Sequence, residues 1–182
     1  MRDARTAILS FWFDESVPIQ WQQVNPDYDN KVKEHFLDLY SLASQGLFDV
    51  WEHDDTGALA LILLFDQFPQ FMFRGTSRVF ERLDDAVRLA HFSLLRGFDQ
   101  MTLPERRKFF YFPLLHSENF LDVELGVQKC FLQRDQEPIV YEQAVRAREI
   151  ITMFGRYPER NTLLGRASTP EEISFLKEHS SF

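Results

Sequence analysis

Four polar clusters carry the residue types from which a binding or catalytic site is built. The first is Asp66-Gln67-Phe68-Pro69 with Arg74-Gly75, and the second is His116-Ser117-Glu118. The third runs Phe154-Gly155-Arg156-Tyr157-Pro158 into Glu159-Arg160-Asn161, and the fourth is Gly165-Arg166-Ala167-Ser168-Thr169. Glu118 or Asp66 has the chemistry of a general base, and His116 that of an acid or base. Arginines suit forked recognition of an anion or stabilisation of a developing oxyanion. The candidate polar site is therefore Asp66, Gln67, Arg74, His116, Glu118, Arg156, Arg160 and Asn161.

Each of these residues also has a structural reading. Asp66 ends an apolar run, where the helix dipole disfavours a carboxylate. A salt bridge to Arg74 or Arg156 explains it. Ser117 or Glu118 can cap the following helix, and His116 can satisfy a backbone carbonyl. Gly155 and Gly165 read as helix stops. Arg156, Arg160 and Arg166 read as surface residues or ion-pair partners. His91 falls on an apolar helical face and reads as a satisfied core histidine. His35, His53 and His179 have no partner at a ligand-like spacing. Cys130 reads as a small buried hydrophobe. No Gly-x-Gly-x-x-Gly, P-loop, His-Glu-x-x-His or Gly-x-Ser-x-Gly occurs. No metal and no cofactor is expected.

The elements that must position these clusters are helical. Residues 4–13 place Ala7, Ile8, Phe11 and Trp12 on one face behind a candidate cap, Asp3. A loop marked by Pro18 follows. Asn25-Pro26 supplies a cap and a first-turn proline. Tyr28, Val32, Phe36, Leu39 and Ala43 then recur at helical spacing until Gly46. The run from 57 to 67 is apolar all round, as a helix buried on every side must be. A fourth helix runs from Thr76 or Ser77 to about Arg96, with Phe80, Val87, His91 and Leu94 on one face and Gly97 as its stop. Thr102-x-x-Glu105 reads as a capping box for a short helix that Pro113 ends. A helix near 118–132 carries Leu121, Leu125 and Phe131. Another, 138–154, carries Val140, Ala144, Ala147, Ile151 and Phe154. Thr169-Pro170-Glu171-Glu172 combines a cap, a first-turn proline and two acids, and opens the last helix.

No strand-length alternation, fixed-period repeat or composition shift interrupts this pattern. The expected architecture is all-α: a single domain, residues 1–182, of seven or eight helices packed as antiparallel pairs. The chemistry-bearing clusters all lie at helix ends, where unpaired amides and carbonyls attract polar side chains. In a bundle of antiparallel pairs alternate ends fall on one face. One shared polar site, with Asp66 paired to Arg74 or Arg156, is the resulting expectation.

Composition narrows the function classes. The 182 residues include 19 Phe, so the core should be packed with aromatic rings. The formal net charge is −8. Residues 1–66 hold 4 Lys+Arg against 12 Asp+Glu, and the remainder is balanced at 16 of each. That distribution speaks against nucleic acid as a partner. A single cysteine excludes an intramolecular disulfide and accords with a reducing, cytoplasmic setting. The N-terminal segment lacks the pattern of a signal peptide, because Asp3 interrupts its basic stretch and Asp14 and Glu15 close its apolar one. The most apolar run, 57–65, is too short for a membrane span, which needs about 20 residues. No membrane partner is expected.

Five blocks together carry a resemblance: Phe11-Trp12-Phe13, LALILLFDQFPQFMFRGT (59–76), YFPLLHSE (111–118), FGRYPERN (154–161) and LGRASTPEE (164–172). In this order they resemble the bacterial family known as domain of unknown function 924, over nearly the whole chain. The resemblance implies a tetratricopeptide-like superhelix of helical pairs and no established activity, substrate or cofactor. Asp66, Gln67, Arg74, Gly75, His116, Ser117, Glu118, Gly155, Arg156, Arg160 and Asn161 match the family pattern. Asp14, Gln70-Phe71, Ala147 and Glu159 depart from it, the last two where the family has histidine. Two missing histidines weaken a histidine-based catalytic site. The leading expectation is a non-catalytic binding or interaction module whose partner is a peptide, a protein or a second copy. The alternatives are a small anion-binding protein or a hydrolase-like enzyme using the Asp/Arg/His/Glu cluster.

Overall fold

The computed structural model describes residues 3–16 and 24–178. The Pro18 loop and His179 lie outside the described residues. The fold is all-α, and four of its described helices begin where a side chain supplies an oxygen for an orphan amide. Helix α1 is Ala4–Ser10. Asp3 makes no side-chain cap to it and instead accepts a hydrogen bond from Arg5. Helix α2, Pro26–Ser44, is capped as expected: Asn25 Oδ1 accepts from the amides of Asp27 and Tyr28. Helix α3, Asp55–Ile62, starts on the Asp54 carboxylate, which accepts from Gly57 N–H at 2.8 Å. Helix α4 is the single turn Pro69–Met72.

Helix α5 spans Leu83–Arg96 and stops at Gly97, φ 73°. Its start is later than the sequence pattern predicts, because Ser77–Phe80 forms a 3-10 turn. Its buried face is Ala86, Leu89, Ala90 and Ser93. His91 is exposed rather than a core histidine. Helix α6 is Phe98–Met101, and Pro104–Arg106 is a 3-10 turn. Helix α7, Lys108–His116, runs through Pro113 instead of ending there. The expected Thr102 capping box does not open it.

Helices α8, Phe120–Phe131, and α9, Pro138–Phe154, follow. They pack on each other across a short connection, as an antiparallel pair. Helix α8 again turns a different face inward from the one expected. Val123, Gly126, Val127 and Cys130 are buried, while Leu121 is 74% exposed. Gly126 explains the choice: a Cβ there would lie 2.6 Å from the Cδ2 of Leu115. A larger residue there would force the Leu115 side chain to shift. Helix α10, Pro170–Glu178, closes the described chain.

Contacts divide the chain into two compact units, where the sequence shows no boundary. The first holds residues 1–74 and 78–113 and the second 75–77 and 114–182, so the division falls inside α7. The first unit has the aromatic core that the composition predicts. Trp12, Phe68, Phe109 and Phe110 are fully buried. Phe36 and Phe68 have ring centroids 4.5 Å apart, Phe11 and Phe36 4.8 Å, and Trp12 and Phe68 5.3 Å. Residues 57–65 are buried on all sides, as expected of a central helix. Two segments here are π-helical, Phe11–Glu15 and Leu63–Gln67. No described helix is long and apolar enough to cross a membrane.

Candidate functional site

In the second unit, the turn after α9 and the segment up to α10 gather most of the candidate polar residues. Gly155, at φ 67°, ends α9 in the left-handed conformation and turns the chain back. Arg156 then places both nitrogens of its fork on Glu172: Nε to Oε1 at 2.6 Å and Nη2 to Oε2 at 2.9 Å. Nη2 also donates to the carbonyl of Ala167 at 2.9 Å. Glu172 is 2% exposed, and it accepts further bonds from Asn161 Nδ2 and the amide of Thr169. Thr169 Oγ1 in turn accepts from the Glu172 amide at 3.3 Å. The cap expected at Thr169 is therefore present, and Glu172 returns the bond to make it a reciprocal capping box. The Arg156 fork holds the Glu172 carboxyl well below its usual range, at about 2; burial works in the opposite direction and is outweighed.

Glu118 anchors a second pair. Arg166 Nη1 donates to Glu118 Oε2 at 2.6 Å and Nη2 to Oε1 at 3.0 Å. The Tyr157 amide donates to the same carboxylate at 2.9 Å. Burial on its own would raise the Glu118 carboxyl. The Arg166 hydrogen bonds, the Tyr157 amide and the charges of Arg166 and Arg160 together pull it below the ordinary value. Asn161, 1% exposed, joins the two pairs. Its amide nitrogen reaches Ser168 and Glu172, and its oxygen accepts from Arg166 Nε at 3.0 Å. Arg160 donates to the carbonyl of His116 at 2.7 Å, and its guanidinium carbon lies 4.2 Å from the Tyr157 ring centroid. The Tyr157 hydroxyl donates to the Leu115 carbonyl, and burial pushes the phenol upward.

His116, Glu118, Arg156, Arg160 and Asn161 therefore belong to one network. Asp66, Gln67 and Arg74 belong to the other unit. There Asp66 is 2% exposed at the end of the second π-helical segment, and Gln67 Nε2 donates to it at 2.5 Å. The expected pairing of Asp66 with Arg74 is replaced: Arg74 gives its fork to Asp29, Nε to Oδ2 at 2.6 Å and Nη2 to Oδ1 at 2.9 Å. Arg156, the other expected partner, gives its fork to Glu172. In both cases the carboxylate sits on a helical turn that presents it, Asp29 in the first turn of α2 and Glu172 in the first turn of α10.

The residues that complete these pairs are Asp29, Glu172 and Arg166. Glu172 and Arg166 stand in clusters visible in the sequence, and the capping box points to Glu172 as a structural acid. Asp29 lies 45 positions from Arg74, and no local signal marks it. Among the described residues no group of three or more His, Cys, Asp and Glu could hold a metal ion. Cys130 is a buried free thiol, and burial raises it to about 12. Beside the network, helices α9 and α10 flank an open groove of about 820 Å³.

Comparison with known proteins finds a matching family and a similar solved structure. A model of the family described as "Bacterial protein of unknown function (DUF924)" matches residues 8–180. The chain is similar to a protein of unknown function, ATU0120, from Agrobacterium tumefaciens, with 32% identity and a TM-score of 0.89. The match covers 96% of this chain and 97% of that one. No curated protein matches.

Proposed function

We propose that this chain, which belongs to the DUF924 family, works as a non-catalytic interaction module. It would bind a peptide or protein segment on its helical surface. One observation carries the reading. Each candidate arginine donates to an internal acceptor: Arg74 to Asp29, Arg156 to Glu172 and Arg160 to the His116 carbonyl. The carboxylate best suited to act as a base, Glu118, takes an arginine fork and an amide, and is held in its charged form at neutral pH. A general base works best when its pKa lies near the operating pH. Glu118 is tuned the other way. Apolar side chains, by contrast, remain outside: in the second unit Leu121, Leu132, Ile139 and Met153 are each more than half exposed.

The finer assignments follow from the same reading. The helical pairs form a tetratricopeptide-like scaffold, residues 1–182 act as one domain, and the buried free thiol of Cys130 suits the cytoplasm. The partner is neither a nucleic acid nor a membrane. The test is a thermal-shift comparison of the full chain with inorganic phosphate, carboxylates, nucleotides and metal ions, run beside a peptide array. Peptides are expected to bind, and the small anions are expected to leave the melting temperature unchanged. A saturating rise with phosphate, lost in Arg156→Gln or Arg160→Gln, would overturn the reading, because ligands of the native state raise its stability.

A second reading, a small anion-binding or hydrolase-like site, has one observation in its favour. Asp66 is buried within a π-helical turn, a geometry often found at functional sites. Hydrolysis of generic ester or phosphoester substrates, abolished in Asp66→Asn with the fold intact, would establish it.

A further inference from the structure

The groove between α9 and α10 has an apolar floor and an acidic edge. Met153, Phe154 and Phe175 line it, with the rings of Phe154 and Phe175 5.1 Å apart. Its cations are already engaged. Arg156 is forked onto Glu172, and Arg146 pairs with Glu149 at 3.2 Å while stacking on Phe175 at 5.1 Å. The remaining charges on the lining are two carboxylates of α10, Glu171 and Glu178, both exposed. They stand seven residues apart. On a helix that is two turns, about 10 Å along the axis, and nearly the same face.

The geometry points to a basic amphipathic helix from a partner protein as the occupant of this groove. The inference rests on the interaction-module reading above and names the class of partner. A second helix lying alongside α10 has the same pitch, so cations at i and i+7 of the partner would face Glu171 and Glu178 together. Apolar residues between them would fall onto Met153, Phe154 and Phe175. This is the helix-in-groove mode of recognition. Met153 is 62% exposed. A flexible thioether at the mouth of a groove can repack around different apolar side chains. Charge also decides against a second copy of the chain as the occupant. A second copy docked by this same face would bring its own exposed Glu171 and Glu178 against this acidic edge, and such an opposition of like charges is repulsive.

The experiment uses the full chain and three labelled synthetic peptides of about 18 residues, long enough to reach helical form. One has a leucine face flanked by lysines seven apart. In the second those lysines are glutamates, and in the third they are moved to the opposite face. Fluorescence anisotropy at two salt concentrations reads the affinities. The first peptide is expected to bind about tenfold more tightly than either control, the span of one decade in Kd. That advantage should shrink at higher salt. Glu171→Gln with Glu178→Gln should remove it. Met153→Asp should abolish binding while leaving the melting temperature unchanged, since the side chain is exposed. Equal binding of the lysine and glutamate peptides, or binding insensitive to Met153→Asp, overturns the inference. So does binding of none of the three. The interaction-module reading is decided separately by the anion screen and the array, and it survives if other peptides bind elsewhere on the chain.

Discussion

The two units of this chain are held by different physics. The first is closed by rings: Trp12, Phe68, Phe36, Phe71 and Phe109 are buried against one another, with the buried run 57–65 beside them. The second has an apolar helix pair, α8 and α9, but its last third is fastened by charge. Arg156 and Glu172, Arg166 and Glu118, and the bridging Asn161 hold the segment from 155 to α10. Apolar burial is non-directional and independent of pH, whereas forked ion pairs are directional and need a charged carboxylate. The same types of polar residue that suggest an active site in the sequence thus do the work of a core where the core is thin.

Breaking the two kinds of closure should give effects of different size. The largest is expected in the first unit. Leu64→Ala removes a side chain that is 0% exposed and should cost about 2–5 kcal/mol in urea unfolding, with Leu61→Ala close behind. A loss below about 1 kcal/mol would show that the buried run 57–65 has room to relax. Gly126→Ala comes next. It pushes a methyl against Leu115 and should cost about 1–3 kcal/mol through overpacking, measured in the same way. Thr169→Ala removes the oxygen that caps α10 and should cost about 1 kcal/mol. Hydrogen exchange should then speed up in α10 and not in α3.

The smallest effect at neutral pH is the titration of Glu172. Its carboxyl is depressed in the folded state, to about 2. Its contribution to stability is therefore full above the unfolded carboxylate value, near 4.3, and is lost as pH falls from there towards 2. Melting temperature should stay flat from pH 7 to about 5 and then drop. In Glu172→Gln, unfolding should be less steeply dependent on pH over that acid range, whatever its starting stability. An unchanged acid slope would mean that this pair does not couple to folding.

What the sequence discloses is governed by distance along the chain. Asn25-Pro26 and Thr169-Pro170-Glu171-Glu172 reveal two helix starts because a cap and its amides lie within three residues. Gly46, Gly97 and Gly155 reveal ends for the same reason, each at positive φ. The inward faces of α5 and α8 are not legible in this way. A hydrophobicity pattern favours Leu121 and Phe131, but the helix turns Gly126 and Val127 inward, since close approach to Leu114 and Leu115 rewards a missing side chain over a large one. The two π-helical turns leave no mark in composition. The candidate site divides along the same line. His116, Glu118, Arg156, Arg160 and Asn161 are brought into one network, as their place at helix ends suggests. Their partners are less visible: Glu118 meets an arginine 48 positions away and Arg74 an aspartate 45 away.

On the interaction-module proposal, the polar cluster of the second unit is spent on closure rather than held ready for chemistry. Glu118 tests it most directly, because a general base and a salt-bridged anchor must titrate in opposite directions from an ordinary glutamate. Carbon-detected NMR of the side-chain carboxyls, with Glu118 assigned through Glu118→Gln, follows that group as pH is lowered. A midpoint below the ordinary glutamate value, shifted together with the amide of Tyr157, is expected. A midpoint raised towards neutrality would contradict it and return Glu118 to the role of a base.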